Sequence, residues 1–155
     1  ALDHPERVRA LVLVSTTDGP MILDKDIPTI GAPRDYREVS KNMIVESFPA
    51  DTQAKTYQPL LDRIPTWNGT VIREALTSMS QFNVHGQLTR IQVPTLIMVG
   101  VKDDVATPAI AKGIQAQIAG SQVVEYQTGH FMMAEDPDRF RAVLGEFLKG
   151  LPPSQ

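Results

Sequence analysis

Apolar residues in this chain fall into two patterns, unbroken short runs and stripes recurring every third or fourth residue. Their order predicts an α/β architecture. RALVLVS (9–15) and VPTLIMVG (93–100) are nearly continuous aliphatic runs, as expected of parallel strands covered on both faces. Pro94 stands at the entrance of the second run, where a missing N–H does least harm, and Gly100 at its exit. QVVEY (122–126) is a shorter third candidate. Between the second and third runs, Ile110, Ile114 and Ile118 share one helical face. Thr107 is the expected N-cap, Pro108 the first helical residue and Gly120 the stop. Residues 93–126 thus predict a strand–helix–strand unit with parallel pairing.

The last helix is announced by EDPDRFRAVLGEFLKGLPP. Asp136 can cap, Pro137 can start the helix, and Phe140, Val143, Leu144, Phe147 and Leu148 form its apolar stripe. Residues 18–82 differ in character. A Gly-, Pro- and Asp-rich opening precedes three amphipathic patterns, carried by Tyr36, Val39, Met43 and Ile44, by Tyr57, Leu60, Leu61 and Ile64, and by Ile72, Ala75, Leu76 and Met79. The predicted organisation is a core from residues 1–17 and 83–150, a helical insertion at 18–82 and a frayed tail at 151–155.

Composition narrows the function. The chain is 42% hydrophobic and 21% charged, ordinary for one soluble domain. A formal charge of −3 with scattered Lys and Arg gives no reason to expect nucleic acid or a membrane as partner. The absence of cysteine excludes disulfides, Cys-ligated zinc and a thiol nucleophile, and it suits a cytoplasmic protein. The opening ALDHPERV has neither an initiator Met nor a signal segment, so more sequence is expected upstream.

Functional groups in open parallel sheets collect on loops at the carboxyl ends of the strands. Two such loops carry candidates: GVKDDVATP, with Asp103 and Asp104, and TGHFMMAED, with His130. Singly, an Asp here is a turn former and a His after Gly a structural residue. On neighbouring strands the two loops would meet, and a carboxylate could orient the imidazole of a general base.

These segments, in this order, resemble the α/β-hydrolase fold family. HPERVRALVLVS (4–15) resembles the helix end and sixth strand, IQVPTLIMVGVKDDVATP (91–108) the seventh strand and acid loop, and TGHFMMAEDPDRF (128–140) the histidine loop leading to the last helix. The resemblance implies the C-terminal part of an α/β-hydrolase, with parallel strands flanked by helices and the 18–82 insertion in the position of a helical cap. It implies Asp103 as triad acid, rather than Asp104, and His130 as general base. It also implies a small-molecule substrate and no metal or organic cofactor. The family's nucleophile turn, G-x-S-x-G, is absent from residues 1–155, as are its Asp and Cys equivalents. The nucleophile is therefore expected in an N-terminal portion of the same protein or in a complementing chain, and this chain alone is expected to be inactive. The implied reaction is serine-dependent hydrolysis of an ester, lactone or related acyl substrate. An upstream Asp nucleophile, as in dehalogenases and epoxide hydrolases, and a non-catalytic ligand-binding relative are the alternatives.

Other residues carry weaker expectations. Trp67 and Met79 are candidates for the substrate cavity. Asp18 is a minor alternative acid, and Tyr36 and Tyr57 are read as packing residues. His4 is expected on the surface at a helix end, His85 is read as structural without a partner, and Met132 and Met133 are expected to pack near the base.

Overall fold

The computed structural model of the chain is described for residues 1–20 and 36–152, the side chains of Tyr36 and Arg37 excepted. Its centre is a three-stranded parallel sheet in the order β1 (Leu11–Val14), β2 (Thr95–Gly100), β3 (Gln122–Tyr126). All six residues of β2 are buried, because it has a strand on each side and a helix on each face. That explains the unbroken aliphatic run, since neither set of alternating side chains meets water.

The alternation sorts the strands into two cores. Ile97 and Val99, with Leu11, Leu13 and Val123, face α4 (Pro108–Gln117) through Ala111 and Ile114. Leu96, Met98 and Tyr126, with Val12, Val14 and Val124, face α6 (Pro137–Lys149) through Phe140, Val143, Leu144 and Phe147. Fully burying one such aliphatic or aromatic side chain contributes about 1.5–3 kcal/mol, so these faces dominate the stability of the unit. Both helices start as their sequences suggest. Thr107 accepts from the Ile110 amide and Asp136 from the Arg139 amide, each followed by Pro at the first position.

Among the described residues three α-helices lie between β1 and β2: α1 (Tyr36–Glu46), α2 (Ala54–Leu61) and α3 (Gly69–Gln81). Asn68 caps α3, its carbonyl oxygen accepting from the Thr70 and Val71 amides. α1, α2 and the turns after them share a core built on Ile44, Phe48 and Ile64, against which Tyr57, Leu60, Leu61 and Trp67 pack. Phe131 and Ala134, from beyond β3, join the same cluster. The helical segment is thereby packed onto the loop that follows β3. A short helix, α5 (Met132–Glu135), links that loop to α6.

Several expectations are corrected. His85 has a partner: its Nδ1 lies 2.9 Å from Asp18 Oδ2. The Val84 amide also donates to the Asp18 carbonyl, so the chain leaving β1 and the chain returning from α3 are joined twice. His4 is exposed, as expected, but it precedes a 3₁₀ turn (Pro5–Arg7) rather than ending a helix. Met132 is fully buried in the α6-facing core and Met133 is 40% exposed, because the turn into α5 sends them to different surroundings. No described helix is long and apolar enough to cross a membrane.

Candidate active site

β2 and β3 are parallel neighbours, so the loops at their carboxyl ends emerge side by side. The β2 loop turns tightly: the Asp103 amide donates to the Gly100 carbonyl, and the Lys102 amide donates to the Thr128 carbonyl of the adjacent loop. Gly100 is needed here. A Cβ at that position would lie 2.2 Å from the Gly129 carbonyl oxygen and 2.4 Å from that of Thr128, both backbone atoms that cannot swing aside.

This crossing sets Asp103 beside His130. Asp103 Oδ2 lies 2.9 Å from His130 Nδ1. The other carboxylate oxygen, Oδ1, accepts from the Val105 and Ala106 amides, each at 2.9 Å. The Asp103 side chain is completely buried and that of His130 is 18% exposed. Burial on its own would raise the Asp103 carboxyl. Hydrogen bonds from His130 and from the Ala106 and Val105 amides, with attraction to the imidazole, outweigh it and hold the group below its ordinary range. An ionised carboxylate only accepts, so His130 must carry its proton on Nδ1, which leaves Nε2 free to take one.

The His130 backbone is held from outside its own loop. Its amide donates to the Ser47 carbonyl at the end of α1, 3.1 Å away. The Phe131 ring stacks on Phe48 with centroids 5.1 Å apart. Gly129 permits this contact, since a Cβ there would stand 2.6 Å from Pro49 Cδ and 2.9 Å from the Ser47 carbonyl oxygen. The amide of Gly129 donates to Glu135 Oε1 at 2.9 Å.

A cavity of about 360 Å³ opens where His130 meets the helical segment. Its wall is mostly apolar and includes Met43, Ile44, Trp67, Met79, Val105 and Phe131. Hollows of about 450 and 420 Å³ elsewhere are lined by neither Asp103 nor His130, so size alone does not mark the site. The structure thus gathers Asp103, His130, Trp67 and Met79 into one place. Asp104 is exposed outside it, and Asp18 is engaged with His85. Tyr57 packs near Phe48 in the helical core, and the Tyr36 side chain lies outside the described residues. No group of three or more metal-ligating side chains occurs among the described residues.

Strand order, the two-faced packing and the meeting of the β2 and β3 loops define a known architecture. The enol-lactonase from Burkholderia xenovorans LB400 superimposes with a TM-score of 0.83 at 21% identity, over 96% of this chain and 59% of that one. The chain carries the α/β-hydrolase fold. Sequence relatives point the same way. A proline iminopeptidase from Lactobacillus helveticus is 27% identical over 172 residues, spanning 94% of this chain and 58% of that protein. A pimeloyl-[acyl-carrier protein] methyl ester esterase from Neisseria meningitidis is 26% identical over 167 residues, spanning 97% and 53%. The chain thus spans little more than half the length of these relatives. No family model matches it.

Two features of the site had no signal in the sequence reading. The Ser47 contact is made by a backbone carbonyl, which any residue would supply. Glu135 could be seen only as an acidic residue near a helix start, while its bond runs back to Gly129.

Proposed function

We propose that Asp103 and His130 are the acid and base of a serine hydrolase acting on a small ester, lactone or related acyl substrate. The nucleophile would lie outside residues 1–155, in an N-terminal portion of the same protein or a complementing chain. The observation that carries this reading is the Asp103–His130 hydrogen bond of 2.9 Å at the wall of an apolar cavity.

In this reaction His130 Nε2 removes the proton of a serine hydroxyl as its oxygen attacks the substrate carbonyl. Buried Asp103 stabilises the imidazolium that results. As the tetrahedral intermediate collapses, His130 returns the proton to the departing alkoxide, which leaves an acyl-enzyme. His130 then takes a proton from water, whose oxygen attacks the acyl carbonyl. Its return to serine releases the acid. Residues 36–82 serve as a cap, with Trp67 and Met79 contacting the acyl group.

Support for a covering partner comes from the sheet. Among the described residues β1 pairs on one edge only, although all four of its residues are aliphatic. An apolar hollow of about 420 Å³ runs beside it, walled by Leu11, Leu13, Phe82, Val84, Leu88 and Ile91. A further parallel strand bearing the nucleophile turn would fill that position.

Kinetics on the chain expressed with the sequence preceding it in its reading frame test the proposal. Hydrolysis of short p-nitrophenyl esters should fall by at least about a thousandfold in His130→Gln. Ester hydrolysis indifferent to His130→Gln would contradict it. Turnover of a prolyl arylamide in place of esters would move the substrate class to peptides.

A further inference from the structure

We infer that Glu135 is a positioning residue for His130: its carboxylate fixes the Gly129 amide and so fixes the imidazole against Asp103. The inference rests on the acid–base reading of that pair. Its basis is the geometry around residues 128–131, where a loop carrying one reactive side chain is anchored at each consecutive position.

The Thr128 carbonyl is taken by the Lys102 amide at 3.0 Å, the Gly129 amide by Glu135 at 2.9 Å and the His130 amide by Ser47 at 3.1 Å. Two of these anchors are backbone atoms whose supply does not depend on residue type. Glu135 is the only one of the three that depends on a side chain. It is the last residue of α5 and is partly buried. Burial raises its carboxyl, with Asp51 and Asp103 adding to the effect, and the Gly129 amide and Lys102 offset it in part. Lys102 is itself drawn toward Asp51, 3.5 Å away. The carboxylate accepts the Gly129 amide, and that donor precedes the base by one residue.

The mechanical consequence follows from the peptide unit. The Gly129 N–H and the His130 N–H bracket one Cα, so holding both fixes the backbone angles at Gly129 and the direction in which the His130 side chain leaves. Gly129 has no Cβ to restrict those angles, and its freedom must be removed by outside bonds. Without Glu135 the remaining backbone anchors are the Lys102 amide on the Thr128 carbonyl and the Ser47 carbonyl on the His130 amide, and neither holds the Gly129 amide between them.

Nuclear magnetic resonance on the ¹⁵N-labelled chain joined to the sequence preceding it in its reading frame tests this without any turnover, so the outcome is independent of whether the protein is a hydrolase. In the wild-type protein the Gly129 amide shift should follow a carboxyl titration. Glu135→Gln should abolish that response while its side-chain carbonyl keeps the amide protected and the His130 Nδ1–H signal in place. Glu135→Ala should speed Gly129 exchange about tenfold or more and broaden or shift the Nδ1–H signal, with Val99 in β2 unaffected. A Gly129 amide blind to carboxyl titration in wild type, or unchanged Gly129 exchange and Nδ1–H signal in Glu135→Ala, would overturn the inference. If Glu135→Ala loses Val99 protection as well, the comparison of wild type with Glu135→Gln decides.

Discussion

Asp103→Asn perturbs the site with the smallest change in shape. The two backbone amides of Val105 and Ala106 point at Oδ1, each at 2.9 Å, so the asparagine must keep its carbonyl oxygen there. Its NH₂ then occupies the position of Oδ2, 2.9 Å from His130 Nδ1. Two donors cannot face each other, so the imidazole proton moves to Nε2 and Nδ1 becomes the acceptor. One charge-assisted hydrogen bond in a fully buried setting is exchanged for a neutral one. Such bonds contribute about 1.5–3 kcal/mol against about 1 for neutral pairs, so the expected loss is about 0.5–2 kcal/mol at neutral pH. Long-range ¹H–¹⁵N spectra distinguish the two tautomers, and urea unfolding gives the stability. The functional corollary is severe, because Nε2 already carries a proton; the same change in a serine-protease triad costs about four orders of magnitude in turnover. A variant retaining the Nδ1–H tautomer with unchanged urea midpoint would refute this reasoning.

Further expectations concern the supporting residues. Asp103 ionises more readily folded than unfolded, so its contribution is present above the unfolded carboxylate value of about 3.9 and lost as pH falls through the lower folded one. Urea midpoints should therefore drop less on acidification in Asp103→Asn than in wild type. Glu135 has the opposite sign: its raised folded value gives a contribution complete below about pH 4.3 and lost as pH rises through the folded pKa, so Glu135→Gln should gain on wild type as pH rises through that window. Gly100→Ala should cost roughly 3 kcal/mol or more in thermal unfolding, since both clashing atoms are backbone carbonyls. Gly113→Ala, inside α4 with nothing within 4 Å of the new Cβ, should instead stabilise by about 1 kcal/mol.

What could be read from the sequence divides along physical lines. β2 was legible because burial on both faces leaves no polar position, and α4 and α6 because their caps and stripes are local features. Asp103 and His130 were legible as residues because parallel strands send their loops to one edge, whatever the details between them. Long-range partnerships were not. His85 meets Asp18 across 67 residues, and nothing in either neighbourhood marks the other. Met133 was expected to pack, but the turn into α5 leaves it 40% exposed. Ser15, in a left-handed conformation at φ 40° with its buried hydroxyl unpartnered among the described residues, also gave no signal.

The central claim is that Asp103 and His130 serve a nucleophilic serine supplied from outside residues 1–155. A fluorophosphonate probe tests it most directly, applied to the chain joined to its preceding sequence and read by mass spectrometry. The account predicts one modified serine, upstream of Ala1 and in a G-x-S-x-G turn, with labelling slowed by at least about a hundredfold in His130→Gln. No modification, or labelling at the wild-type rate in His130→Gln, would contradict it.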